Sequence, residues 1–549
     1  MGTSVDRRTF FQHSAVLGAA AAAASACVHA SGASSMAAAS APFELEEATL
    51  AQLQARMAHG QDSALTITQK YLARLATLDR EGPALHHVIE VNPEAEDIAR
   101  RLDDERKAGK VRGPLHGVPV LLKDNLGTAD KMTTTAGALA LAGFVPAKDS
   151  FVAARLRAAG AVLYGKANMS ELANFRSTHP SNGWSGRGGQ AKNPYALDRD
   201  PSGSSSGSAG AVAANTVAIA VGTETDGSIT SPAASCGLVG LKPTVGLWSR
   251  AGIIPLSHTQ DTPGPMARTV TDAAILLGAC VGADPDDAAS AESAARGQRD
   301  YTTFLDAKAL QGARLGVPRA LLFGGSPAAD RVGEAALATL RQLGAVLVDP
   351  VELAGAEELM KAEQEVLLCE FKADLEAYLA AAGPRAPVKT LAALIRWNQD
   401  HAAASMPYFG QELLVQAAAR GPLTDKAYTD ALATCTRLAR TEGIDAVMAK
   451  HQLDAFVAPT QGPATLVDLV NGAYWSGGPG STTLFPAVAR SPHITVPAGH
   501  VFGLPVGLSF FGGAWSEPKL LALAFAFEQA TKVRRAPRFL PTVDLSASR

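Results

Sequence analysis

After Gly117 the chain alternates short, unbroken apolar runs with stretches spaced like amphipathic helices. Val118-Pro-Val-Leu-Leu122 leads to a helix predicted over residues 149–159, then to Ala161-Val-Leu-Tyr164. A Gly/Ser loop, a short Ala-rich helix over 208–215 and Val217-Ala-Ile-Ala-Val221 come next. Apolar runs without polar alternation are what strands covered on both faces require, so the pattern predicts an α/β fold with parallel strands between helical layers. The alternation returns in strand-like 314–317, helix-like 334–343, and strand-like 345–348 and 453–457. It closes with a strand over 504–511 and a helix starting at Ser516, which reads as its cap.

Between about 357 and 450 the periodicity is almost wholly helical, which predicts a helical insertion into one domain spanning 43–540. Two amphipathic helices, at 46–59 and 63–79, open that domain. A third carries its own signals: Asn92 as cap, Pro93 at the first helical position, and Glu94, Glu96 and Asp97 at the positive end. Arg106 and Lys107 stand at its negative end, with Gly109 beyond. Ala95, Ile98, Ala99 and Leu102 recur at i, i+3, i+4 and i+7, so one face is buried.

Composition narrows the function classes. With 47% hydrophobic and 18% charged residues over 549 positions, disorder is excluded as the dominant state. A net charge of -3 leaves no electrostatic footprint for nucleic acid or an anionic membrane. The five cysteines show no Cys-x-x-Cys spacing and the 12 histidines no His-Glu-x-x-His, so neither a disulfide scaffold nor a metal site is expected. Residues 1–30 read as a twin-arginine export signal: Arg7-Arg8, a weakly apolar Ala-rich run over 15–26, and small residues around Ala24-Ser25-Ala26. That run is too short for a stable membrane span, which needs about 20 strongly apolar residues. The expected location is therefore periplasmic or secreted. Cys27 directly after Ala-Ser-Ala raises a lipoprotein alternative, against which Ala24 stands where a larger aliphatic residue is usual.

Three nucleophile readings compete. Gly203-Ser-Ser-Ser-Gly207 satisfies the G-x-S-x-G elbow with Ser205 as nucleophile, but that elbow needs a strand before it. Here Asn193 to Pro201 is polar and contains two prolines. Ser516-Glu-Pro-Lys519 matches the S-x-x-K motif of penicillin-recognising enzymes, yet the supporting S-D-N and K-T-G elements are absent. No Gly-Lys-Ser/Thr follows the Gly203 loop to make it a phosphate cradle. The third reading joins Lys123, Ser204 and Ser228. Taken singly, each has an ordinary structural explanation: a lysine paired with Asp124, and serines in a flexible loop.

Taken together, Pro201-Ser-Gly-Ser-Ser-Ser-Gly-Ser-Ala209 and Gly222-Thr-Glu-Thr-Asp-Gly-Ser-Ile-Thr-Ser-Pro-Ala-Ala234 resemble the amidase signature family. The interval from Ser204 to Ser228 is the one that family's motif requires. Lys123 follows the matching Gly113-Pro-Leu-His-Gly-Val-Pro-Val-Leu-Leu-Lys-Asp-Asn125 segment. The likeness continues through Gly240-Leu-Lys-Pro-Thr244, Asp261-Thr-Pro-Gly-Pro-Met266 and Gly503-Leu-Pro-Val-Gly507. It implies the amidase-signature fold, a large, mostly parallel mixed sheet covered by helices on both faces.

The resemblance also implies roles. Ser228 would be the acyl-forming nucleophile, and Ser204, preceded by a cis peptide bond, would bridge it to Lys123 as base. Backbone N–H groups of Thr225, Asp226, Gly227 and Ser228 would form the oxyanion hole and bind substrate. Two departures matter: the family usually has Gly-Gly before the nucleophile and Ile-Arg after it, where this chain has Asp226-Gly227 and Ile229-Thr230. With Arg187-Gly-Gly-Gln190 and Ser206, these substitutions resemble the bacterial peptide amidase branch, which removes ammonia from the C-terminal amide of peptides. Asp226 then either hydrogen-bonds the substrate's N–H groups or braces the loop. The alternatives are a broad aryl, fatty or aliphatic amidase, an amidotransferase A subunit, and a non-catalytic binding protein. The implied enzyme needs no cofactor and takes a small-molecule or peptide amide; the sequence leaves its oligomeric state open.

Overall fold

The computed structural model describes residues 43–473 and 481–546. The chain divides at Glu46, residues 47–549 forming one unit; of the first unit only 43–46 are described. The expected export signal, with Arg7, Arg8 and Cys27, lies outside the described residues.

Thirteen strands are formed among the described residues: β1 Val88–Val91, β2 Pro119–Lys123, β3 Val162–Ala167, β4 Trp184–Ser185, β5 Gly189–Gln190, β6 Ile219–Glu224, β7 Val239–Lys242, β8 Thr262–Ala267, β9 Arg314–Gly316, β10 Val346–Val348, β11 Ala455–Pro459, β12 His493–Val501 and β13 Leu504–Phe511. Eleven of them build one sheet in the order β1-β3-β2-β6-β8-β7-β12-β13-β11-β9-β10, while β4 and β5 pair apart. The sheet is mixed. Its parallel pairs lie in two flanks, β3-β2-β6 and β11-β9-β10, and the strands between them run antiparallel. Every residue of β2, β3 and β6 is buried, as expected of strands packed on both faces.

The antiparallel middle contains what apolar runs do not announce. In β8, Thr-Pro-Gly-Pro-Met-Ala, two prolines remove ladder donors, yet all six residues are buried between β6 and β7. Gly264 permits it: a Cβ there would lie 2.2 Å from the Leu241 carbonyl oxygen.

The third N-terminal helix runs Ala95–Lys107, beginning after the expected cap. Asn92 instead closes a preceding turn, its Oδ1 accepting from Glu94 N at 2.9 Å while its Nδ2 donates to the Leu163 carbonyl at 2.7 Å. Ser516 does occupy the cap position of the helix Glu517–Thr531, but its hydroxyl donates to the Gly513 carbonyl instead of capping.

Between β10 and β11 the structure is helical, led by the long helix Ala356–Ala382. Leu359 and Val366 enter one apolar cluster, Phe371, Leu375 and Leu379 another. The same helix buries two acids, Glu363 and Glu370.

Candidate active site

Lys123 is the last residue of β2 and is fully buried. Its Nζ donates to Ser204 Oγ at 2.8 Å and to the Thr223 carbonyl at 3.0 Å, near the end of neighbouring β6. The apolar strand carries the amine out of water and supplies no compensating carboxylate in contact. Burial therefore pulls its pKa down to about 7, against the opposing charges of Asp261 and Glu224. Asp124 points away, as its own hydrogen bonds require: its Oδ2 accepts from Gly137 N at 3.0 Å and from the Thr135 hydroxyl. Two further lysines are buried in the same sheet. Lys166 in β3 and Lys242 at the end of β7 are both drawn down to about 8 by desolvation.

The Gly203–Ser204 peptide bond is cis. The loop is tied on every side: the Ser204 carbonyl accepts from Ser170 N at 3.1 Å, and Ser206 Oγ donates to the Ser202 carbonyl at 2.5 Å. A Cβ on Gly203 would lie 2.3 Å from Ser170 Oγ, so a larger residue would have to displace that hydroxyl. Ser205, the elbow candidate, is fully buried, donates to the Thr223 carbonyl at 3.0 Å and accepts from Thr223 N at 3.2 Å. It is a brace between the loop and β6, with no open face for an attacking oxygen.

Ser228 lies on the following loop, 7% exposed, and its Oγ is hydrogen-bonded to no described residue. Ser205 N donates to the Ser228 carbonyl at 3.1 Å, which joins the two serine loops through the backbone. The backbone N–H groups of Thr225, Asp226, Gly227 and Ser228 likewise donate to no acceptor among the described residues. Glu224 holds the turn that presents them: its Oε2 accepts from Ile229 N and Thr230 N at 2.8 and 2.9 Å. Gly227 has φ +79, and a Cβ there would meet Ser231 Oγ at 3.0 Å and Thr483 Oγ1 at 3.1 Å. A row of free donors beside an accessible hydroxyl is what stabilising a tetrahedral oxyanion requires.

A cavity of about 490 Å³ opens on this loop, reaching Ser202, Asp226, Ser231 and the 481–484 segment. Several groups here were not singled out from the sequence. The Thr223 carbonyl receives Lys123. Asp261 accepts the Thr225 hydroxyl at 2.6 Å, and Gln260 donates to Glu363 at 2.7 Å. Backbone acceptors leave no signature in a sequence. Glu363 did leave one, because it falls at i+4 from Leu359 and i−3 from Val366, a charge on the buried face of its helix.

His258, Glu370 and Asp374 converge, and His258 and Asp374 line a second cavity that Thr223 and Thr225 also line. Their atoms already serve one another and the protein: His258 Nδ1 lies 2.9 Å from Asp374, and Glu370 accepts from the Tyr428 hydroxyl at 2.8 Å and the Thr259 hydroxyl at 2.9 Å.

Comparison with known proteins agrees with this geometry. The Amidase family profile matches residues 66–521. The probable amidase At4g34880 of Arabidopsis thaliana is 42% identical over 511 residues, covering 91% of this chain and 93% of that protein. The A subunit of the glutamyl-tRNA(Gln) amidotransferase of Chloroflexus aurantiacus is 36% identical over 496 residues, 89% of this chain and 98% of that protein. Among solved structures, the native peptide amidase of Stenotrophomonas maltophilia superposes with a TM-score of 0.85 at 51% identity, covering 91% of this chain and 100% of that one. The chain belongs to the amidase family and is an amide-hydrolysing enzyme.

Proposed function

We propose that this enzyme hydrolyses the C-terminal carboxamide of peptides, releasing ammonia through an acyl-enzyme on Ser228. The observation that carries the mechanism is the buried Lys123 amine 2.8 Å from Ser204 Oγ. A lysine near its ordinary pKa would be almost entirely protonated at pH 7, whereas one drawn to about 7 is neutral in half the molecules. Neutral Lys123 accepts the Ser204 proton as Ser204 accepts that of Ser228, the contact between the two hydroxyls forming in the complex with substrate. Ser228 Oγ bonds to the carbonyl carbon, and the oxygen takes the electron pair while the N–H groups of 225–228 stabilise it. When the tetrahedral intermediate collapses, the C–N bond breaks and the stored proton returns to the departing nitrogen, giving ammonia. Water then enters, loses a proton along the same route and releases the carboxylic acid and Ser228.

The peptide preference draws support from the peptide amidase superposition and from the Asp226-Gly227 and Ile229-Thr230 substitutions. The competing reading, a component of an amidotransferase, draws on the relative at 36% identity. Ammonia release by the isolated chain from a panel of peptide amides, amino-acid amides and anilides decides between them. Turnover confined to anilides or simple amides refutes the peptide preference, and no turnover without partner chains supports the second reading.

We also infer export to the periplasm, on Arg7-Arg8 and the weakly apolar run behind them. Replacing both arginines by lysine should retain the protein in the cytoplasm; unchanged export of that variant contradicts the assignment.

A further inference from the structure

The cavity that Asp226 and Ser231 border has a one-sided charge. Asp200, Asp226, Asp330 and Glu363 line it, and no lysine, arginine or histidine does so among the described residues. Three of the acids have protein donors: Asp200 holds Ser202 N and Asn182, Asp330 holds Gly324 N, and Glu363 Oε1 holds Gln260. Asp226 is different. Its Oδ1 is buried with no hydrogen-bond partner among the described residues, and of the neighbouring side chains Thr483 favours its charged form, although an unmatched buried acceptor is costly. Glu363, only 7% exposed and brought in by the inserted helix, lies close enough for the Asp226 charge to raise its pKa further. Lys242 offsets this charge only from outside the lining, at the end of β7.

Resting on the peptide-amide reading, we propose that Asp226 and Glu363 form a subsite for a protonated amine of the substrate, so that short peptide amides with a free N-terminal ammonium are preferred over neutral or acidic ones. An ammonium supplies donors to the unmatched Asp226 oxygen and compensates two carboxyls that no cation of the cavity lining faces. A neutral peptide N–H satisfies the first need and leaves the second unmet. An anionic group meets neither.

The test uses three substrates alike at the reacting amide: alanyl-phenylalaninamide and its N-acetyl and N-succinyl derivatives. They are compared by kcat/KM at pH 7, where the free α-amine is mostly protonated. The expected order is amine, acetyl, succinyl, with about tenfold at each step. Glu363→Gln keeps an acceptor for Gln260 and removes a carboxyl, and should lower the amine-to-acetyl ratio at least threefold. A flat or reversed order in the unmodified enzyme overturns the subsite while leaving the peptide-amidase reading intact. Failure to hydrolyse all three, with turnover of a simple aryl amide, overturns both. An unchanged ratio in Glu363→Gln removes Glu363 from the subsite.

Discussion

Replacing Lys123 by methionine should destroy activity and stabilise the fold. The folded chain holds this lysine with a pKa of about 7, and the unfolded chain near the ordinary 10.5. At pH 7 that difference amounts to roughly 4 kcal/mol against folding. The sign follows from proton counts. Between pH 7 and 10.5 the unfolded chain keeps a proton that the folded protein has released, so the penalty shrinks by about 1.4 kcal/mol per pH unit as pH rises. It is full below 7 and gone above 10.5. Methionine has no such penalty, but it abandons the bonds to Ser204 and the Thr223 carbonyl, at about 1 kcal/mol each. The variant should therefore gain about 2 kcal/mol at pH 7 and lose that advantage by about pH 9. Urea unfolding followed by tryptophan fluorescence at pH 7, 8 and 9 reads the difference between the two proteins. Taking the difference cancels the similar titrations of Lys166 and Lys242. A variant less stable at pH 7, with a gap that does not change with pH, would refute the reasoning. So would ammonia release by Lys123→Met within about tenfold of the parent.

Other substitutions probe the neighbouring loops. Ser228→Ala should abolish turnover and labelling by a fluorophosphonate, with the adduct in the parent mapping to Ser228 by mass spectrometry. Ser205→Ala should keep most turnover and lose about 1–2 kcal/mol of stability in urea, since it removes a buried brace on Thr223. Gly227→Ala, forced into a left-handed conformation against Ser231 and Thr483, should lower kcat about 100-fold while circular dichroism stays unchanged. The kcat/KM of the parent should rise with pH through a limb near 7; a lower limb near 10 would mean that Lys123 acts with its ordinary basicity.

How far the sequence reveals this protein depends on which atoms do the work. Strands β2, β3 and β6 are legible because burial on both faces writes continuous apolar runs. Strand β8 is not, since its prolines and glycine suit a crowded position between two neighbours that only the assembled sheet creates. Lys123, Ser204 and Ser228 are separately ordinary residues whose grouping comes from the resemblance to the amidase signature family. Their environment comes from carbonyls and N–H groups that nearly every residue carries. Asn92 shows the converse: its cap signal is real hydrogen-bonding chemistry, directed to a turn and to β3 before the helix begins.

The helix Ala356–Ala382 gives the active site a second origin. The groups proposed for hydrolysis belong to the ends of β2 and β6 and the serine loops, whereas Glu363 in the cavity wall arrives with the inserted helical layer. On the proposed reading, selectivity is therefore encoded partly beside the chemistry, through Asp226, and partly in this helix, through Glu363. Diversifying the cavity-lining positions of this one helix, at Met360, Glu363 and Gln364, changes what is admitted without rewriting a residue that moves a proton. The fold is in this sense a fixed reactor with an inlet that three codons of one helix can vary, the rest of its wall coming from other segments.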